Sequence, residues 1–436
     1  MSEKTLKKGQ KGNFEFIGNL EYKADDFVKN QKSQKSDWVS SKIAFYVKNG
    51  ENRVRVNLMG GFNAKSKLYK QDEEGNQLII DFKDRQNKAL TDKVVSWGKY
   101  KIGIEKEDKI SLDDKGQPIM ENGKPKTYRG WKYIEYLADY DLINHLGEIL
   151  NEKNGMRVQV SGNITYSLYE GKIQTNYDVQ RILFLTEEDK KEDKIEIIQE
   201  LLIDNTCSKD FFKKDEEGNK VLNLIKVDDK TDKIKLNCFT YQYKNKNERV
   251  LIPLEVFYVF ENNEENRKKL TTLMKKLFVL DNKTVRRMTI SGTQFSGKSY
   301  ENVELPEEEV SDDLKDFLED YNIEEIKEQI KNTYNTVKYI NEIRLKLFPP
   351  VFKDENGKMQ LNISDNEFTK EDLLPENMII EETQKTTQKQ PQKIEASEVA
   401  DLSDFFTDEN AIPNDISNKN DDFYSIPEPA DDDLPF

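Results

Sequence analysis

The stretch Arg53-Val54-Arg55-Val56-Asn57-Leu58 alternates polar and apolar residues without a break. Successive side chains of a strand point to opposite faces, so Val54, Val56 and Leu58 must face a core while Arg53, Arg55 and Asn57 face outward. A helix cannot sort that pattern into one apolar stripe. A chain built around it has to form a half-buried sheet with a cationic outer surface. Its neighbours agree: Phe14–Leu20 and Lys42–Val47 are aromatic and β-branched, as strands prefer.

The rest of the chain falls into similar pieces. Residues 1–12 are polar and lysine-rich and read as a mobile arm. Lys65–Asn76 and Glu105–Lys126 read as loops or hairpin insertions. Leu142, Leu146 and Ile149 give Tyr136–Leu150 a helical period that ends near Asn154-Gly155, and a hairpin follows over Met156–Tyr166 and Ile173–Leu185. Strands, a helix and a closing hairpin within residues 13–187 are compatible with an OB-fold; a β-sandwich gives much the same pattern. Residues 200–306 repeat the theme, with strands at Lys233–Leu236, Phe239–Tyr243 and Val250–Phe260, a helix over Asn262–Leu280 and a hairpin from Val285. Val160-Ser161-Gly162 with Gly171-Lys172 matches Ile290-Ser291-Gly292 with Gly297-Lys298, a degenerate internal repeat. The expected architecture is therefore mainly β with helices, as two tandem OB-like β-barrels. Ile323, Ile326, Ile330, Tyr334, Val337 and Ile340 predict a helical segment over 308–348, closed by Pro349-Pro350. Residues 351–436 are expected to be a disordered linker and tail, low-complexity over Thr383–Lys393.

Charge is unevenly spread. The formal net charge is −15, yet Glu395–Phe436 holds 13 acids and one base, and residues 1–186 hold 32 bases and 26 acids. A mildly basic body with an acidic appendage suits a polyanion binder. Two cysteines give no disulfide framework, and a single histidine, His145, excludes a zinc site of the usual Cys/His type. No signal peptide or apolar run of membrane-spanning length is apparent, so a soluble, cytoplasmic protein with no membrane, metal or cofactor is expected.

The tail ends Asp431-Asp432-Asp433-Leu434-Pro435-Phe436. Pro435 keeps the tip extended, and Leu434 and Phe436 suit a shallow apolar pocket rimmed by cations that hold the carboxylates. This resembles the end of bacterial and phage single-stranded DNA-binding proteins, whose acidic tails finish Asp-Asp-Asp-Ile/Leu-Pro-Phe. The resemblance covers these six residues and, loosely, the acidic stretch before them. It implies a non-enzymatic phage, plasmid or bacterial protein that binds single-stranded DNA without sequence preference. It also implies a tip that docks enzymes of replication, recombination and repair. This chain is longer than those members, with two expected barrels where they usually have one.

Single-strand binding needs cations for phosphates and ring faces for bases. Stacking contributes about 1–3 kcal/mol per base, a magnitude established on single-strand-binding OB-folds rather than on this chain. Trp97-Gly98-Lys99-Tyr100-Lys101 would place Trp97, Lys99 and Lys101 on one strand face. Lys126–Tyr133 interleaves Tyr128, Arg129, Trp131 and Lys132. Arg53 and Arg55 would meet phosphates, and Tyr166, Tyr169 and Lys172 mark the closing hairpin. In the second unit Tyr241, Tyr243, Lys244, Phe295, Lys298 and Tyr300 are the equivalents. Trp97 and Trp131 stand out because bases flank both.

Gly292–Ser299 satisfies G-x-x-x-x-G-K-[ST], the phosphate-cradling loop of a P-loop NTPase. Its surroundings oppose that reading. Arg286-Arg287-Met288-Thr289-Ile290 is too polar for a buried parallel strand, Tyr300–Leu305 alternates instead of opening a helix, and the Gly297-Lys298 pair reads as a hairpin turn. An accessory replication or recombination hub that carries the tip without coating DNA is the other alternative. If the tail competes with DNA for the basic surface, deleting residues 395–436 should tighten oligo-dT binding at low salt. Fluorescence anisotropy checks this, and unchanged affinity would refute the competition.

Overall fold

The computed structural model describes residues 6–301 except 11, 114–115, 170–171, 215, 219, 228–229 and 246, and then 336–346, 351–353, 359–361, 363–365, 367–379 and 392–393. Within these, the first unit comprises β1 (Gly12–Lys32), β2 (Val39–Asn49), β3 (Asn52–Phe62), β4 (Tyr100–Ile110), β5 (Thr127–Tyr136), α1 (Asp139–Lys153), β6 (Arg157–Tyr169) and β7 (Lys172–Phe184). The second comprises β8 (Lys194–Ile203), β9 (Thr231–Asn245), β10 (Glu248–Glu261), α2 (Glu264–Phe278), β11 (Arg286–Glu301) and β12 (Thr336–Leu345). β13 (Ile363–Asp365) follows.

Pairing follows one plan twice. In the first unit the order is β3-β2-β1-β6-β7, all antiparallel, with the helix between third and fourth strands. In the second it is β10-β9, then β8-β11-β12, with β12 returning parallel to β10. β8 meets β9 at a single pair, Leu202↔Phe239. The fold is mostly β and OB-like in its strand order.

The two units are not separate barrels. β1 is 21 residues long, and its first part pairs with β8 as well as β6, so fourteen strands, the short Ile225–Lys226 among them, join in one sheet that as a whole does not close into a barrel. Gly12 permits this approach: a Cβ there would lie 2.0 Å from Gln199 Oε1 and 2.3 Å from Ile164 Cγ2. A second tie runs from the β2–β3 turn, where Gly50 takes the left-handed φ of +59°. Asn52 Nδ2 donates to Gln294 O at 2.8 Å and Ser296 N donates to Asn52 Oδ1 at 2.9 Å.

The core follows the alternation. Val54, Val56 and Leu58 are buried with Phe45, Val47 and the α1 residues Leu142, Leu146 and Leu150. In α2, the Asn263 side chain caps the Asn266 amide, with Glu264 and Glu265 in the first turn and Lys275 and Lys276 in the last.

Four further expectations change. The helix expected over 308–348 is a strand where it is described: β12 pairs on both edges, and Val337, Tyr339, Ile343 and Leu345 share strand parity. Residues 302–335, with Ile323, Ile326, Ile330 and Tyr334, lie outside the described residues. The arm is docked, not mobile, at Gly9 and Gln10: Gln10 N donates to Tyr241 O at 2.6 Å and Tyr241 N to Gln10 Oε1 at 2.8 Å. Order continues past 351, since Phe368 and Met378 are buried against Leu202, Tyr241 and Val285. Finally, the P-loop pattern Gly292–Ser299 is neither a phosphate loop nor a turn. It lies inside β11, laddered to β12 from Gly292↔Leu345 to Ser299↔Lys338, so its amides serve a sheet.

At the seam between β3 and β7 the inserted β4 takes the parallel place beside β7, at Arg181↔Lys101. A cavity of about 310 Å³ remains, lined by Leu58, Tyr100, Asp139, Ile143, Tyr177 and Asp178 among others. Burial pushes the Asp139 carboxyl up to about 6, against the Tyr140 amide and Lys70, with Asp178 adding to the rise. A raised carboxyl favours the folded state when protonated, so this contribution is full below about pH 4 and is lost as pH rises through about 6. Asp139→Asn keeps an acceptor for Tyr140 and should flatten the fall in melting temperature between pH 4.5 and 7.5. An unchanged pH profile would show that Asp139 is already ionised across that range.

Candidate nucleic-acid interface

The outward face of β2 and β3 carries two parallel columns. Strand parity puts Lys42, Ala44, Tyr46 and Lys48 on one, and the register sets Met59, Asn57, Arg55 and Arg53 opposite them. Arg53, Arg55, Asn57 and Met59 are exposed, as the alternation requires. The Arg53 guanidinium lies 3.6 Å from the centroid of the Tyr46 ring and that of Arg55 5.8 Å. Both are held by carboxylates of β1: Arg53 Nε by Glu21 at 2.5 Å and Arg55 by Asp26 at 3.5 Å. Burial pushes Glu21 up, but the Arg53 hydrogen bond and charge, aided by Lys48, outweigh it and hold its carboxyl below the usual range. Lys42, Lys48, Arg53 and Arg55 against Glu21 and Asp26 leave the face net cationic.

Trp38 enters β2 with the parity of Lys42 and Tyr46 and is 39% exposed. Its ring packs over Gly61, where a Cβ would come within 2.8 Å of ring atoms. Eight residues separate it from Tyr46, about 26 Å of strand. The sequence reading passed over Trp38, Tyr46, Lys42 and Lys48, although parity within the strand-like Lys42–Val47 run already aligns Lys42 with Tyr46.

The two sequence clusters on β4 and β5 split. Trp97 is 51% exposed, but it sits in a 3-10 turn over Ser96–Gly98 before β4 begins. Lys99 does not join it: its side chain is mostly buried, 2.9 Å from Glu135. Lys101 donates to Ser96 Oγ and lies 5.4 Å from the Tyr133 ring, which Lys109 approaches from 5.6 Å. Arg129 and Lys132 are exposed beside Asp108 and Glu105, at 3.9 and 2.8 Å. Tyr128 is half-buried.

Three aromatic candidates are corrected. Trp131 is 6% exposed, packed with Ile17, Leu183 and Leu185. Tyr166 is buried in the first unit's core, where loss of water pushes its hydroxyl far up. Tyr241 is 1% exposed, beneath Phe368. None of these rings can stack on a base as the chain stands. Tyr243 is 52% exposed with Arg249 3.7 Å over its ring, Lys244 pairs with Glu248 at 2.6 Å, and Arg344 covers Phe295 at 3.5 Å. Lys172 is exposed at the start of β7, opposite Tyr169. Lys298 and Tyr300 take register positions in β11 opposite Tyr339 and Val337. The side chains of Tyr169, Lys298 and Tyr300, and the whole tip Asp431–Phe436, lie outside the described residues.

No protein-family model matches the chain, and no curated protein sequence does. Among solved structures, it aligns with a deletion mutant of the single-stranded DNA binding protein from Thermus aquaticus. The TM-score is 0.28 at 10% identity, over 66% of this chain and 87% of that one. That alignment is loose, and the chain's own residues carry the functional reading. Among the described residues no group of three or more His, Cys, Asp or Glu is placed to hold a metal ion, and no helix is long and apolar enough to cross a membrane.

The two tryptophans of the sequence clusters should separate in solution. Trp131→Ala should cost about 3–5 kcal/mol of unfolding free energy in urea, the range for deleting a large buried ring. Trp97→Ala should stay within about 0.5 kcal/mol of the parent. Equal losses would contradict this placement.

Proposed function

We propose that this protein binds single-stranded DNA without sequence preference, as a phage, plasmid or bacterial coating protein built from two tandem OB-like units. The outward face of β2 and β3 is its principal contact. The observation that carries the reading is the Tyr46 ring on that face, with Arg53 and Arg55 over it and Lys42 and Lys48 in the same columns. The outer surface of the second and third strands is where OB-folds take oligonucleotides. An aromatic face accepts any base, and cations spaced along the strands accept the phosphates between bases. Trp38, Trp97, Lys101, Arg129, Lys132 and Lys172 extend the path, and Tyr243 begins a second surface.

The chemistry is exchange. Glu21 and Asp26 each contact one arginine, and an incoming phosphate takes the place of each carboxylate. The tip Asp431–Phe436 then recruits replication, recombination or repair enzymes, a role that rests on its resemblance to the single-strand-binding tails. No catalytic step is required.

The test is anisotropy of a labelled oligo-dT and an equal-length duplex across a salt series. With four cations meeting phosphates, log affinity should fall with log salt at a slope of about −3, from about 0.7 per contact on single strands. Arg53→Ala with Arg55→Ala should shallow that slope by about 1.4. Tyr46→Ala should weaken binding by about 1–3 kcal/mol with little change in slope. Duplex affinity equal to that for the single strand would refute the reading. Binding to neither would leave the accessory hub that only carries the tip.

A further inference from the structure

The second unit repeats the first in strand order, yet one end of its corresponding outer face, at Phe239, Tyr241 and Leu251, is covered by the chain itself. Residues 363–379 run across it, beginning as β13 on the edge of β11 at Arg286↔Asp365. The segment holds five acids, Asp365, Glu367, Glu371, Asp372 and Glu376, against one base, Lys370. Its contacts have the chemistry of a bound strand. Asp365 takes a two-pronged hydrogen bond from Arg286, Nε at 2.6 Å and Nη2 at 2.8 Å. Glu367 lies 3.2 Å from Arg287 Nε. Phe368 sets its ring edge-on to Tyr241 with centroids 5.8 Å apart, and Lys7 stands 5.9 Å from the same ring. Arg249 N donates to Met378 O at 2.8 Å, beside the exposed Tyr243.

A carboxylate on Arg287 and an aromatic ring beside Tyr241 are what a phosphate and a base would supply in the same places. Arg286 shares the parity of the core-facing Met288 and also donates to Leu277 O at the end of α2, so with Asp365 it anchors the segment at the strand edge. We infer that residues 363–379 are a built-in mimic of single-stranded nucleic acid, covering a second binding face formed by Tyr241, Tyr243, Arg249 and Arg287. A long single strand reaches that face by displacing the segment. The inference rests on the single-strand-binding reading above and adds a second, gated site to it.

The first measurement is hydrogen exchange on the full chain, with and without saturating oligo-dT long enough to span both units. Amides of 363–379 should exchange at least tenfold faster in the complex, while those of α1 stay unchanged. Unaltered exchange at 363–379 in a saturated complex overturns the inference and leaves the first-face reading standing. The second measurement places Asp365→Lys and Glu367→Lys, which repel Arg286 and Arg287, in a Tyr46→Ala, Arg53→Ala, Arg55→Ala background. Oligo-dT affinity should rise at least tenfold over that background at low salt. No rise overturns the inference. If the parent chain and the double-lysine variant both fail to bind, the single-strand reading falls as well. Binding by the released variant alone would keep the second face and remove the first.

Discussion

The two units are joined by the ladder between β1 and β8, from Gly12↔Gln199 to Ile17↔Lys194. β1 carries hydrogen bonds on both edges there, to β6 as well as β8, so neither unit can move without breaking a strand shared by both. The close approach needs glycine at position 12, because any side chain would collide with Gln199 and Ile164. Once the strand is shared, the β2–β3 turn falls onto β11, and Asn52 satisfies an acceptor and a donor of that strand together. The hairpin bearing Tyr46, Arg53 and Arg55 is therefore clamped at its turn by the second unit. A fixed turn holds the two columns in register, and fixed ring and cation positions reduce the ordering cost of binding a flexible chain.

The two units then diverge in how they satisfy the same kind of surface. In the first, acids of β1 lie beside the arginines of β3, and the face stays open to solvent. In the second, the acids arrive on a separate segment that brings a phenylalanine with it. The difference follows from composition. Tyr241, Phe239 and Leu251 make the second face apolar enough to bury Phe368 and Met378, whereas the first sets Arg53, Arg55 and Asn57 beside its rings.

The parts legible in the sequence were those that a single period decides. Arg53–Leu58 gave β3 and both of its faces, and the leucines of α1 and the closing β6–β7 hairpin sat where their spacing placed them. Trp131 was misread because flanking residues of a strand point to the opposite face: Lys132 lies outward precisely when Trp131 lies inward, so a basic neighbour says nothing about exposure. Parity, applied to Lys42–Lys48, would have found Tyr46. Val337 and Ile340 fitted a helical spacing, while Val337, Tyr339, Ile343 and Leu345 fitted a strand. Only pairing on both edges with β10 and β11 decides between them, and that partnership is set by residues about 40 to 90 positions away in sequence. The Gly292–Ser299 pattern satisfied a motif without its strand-turn-helix context, and the ladder to β12 removes the loop the motif needs.

Seven arginines share one further property. Arg53, Arg55, Arg85, Arg157, Arg286, Arg287 and Arg344 each lie within 4 Å of a carboxylate. On the proposed reading, a phosphate that meets one of these arginines replaces a carboxylate contact. Such exchange changes the direct Coulomb energy little, because one anion leaves as another arrives. On that reading the net gain comes from stacking on exposed rings and from counterions released by the nucleic acid. The proposal thus offers an acidic protein of net charge −15 a route to binding another polyanion, with its own carboxylates holding the cations until phosphates replace them.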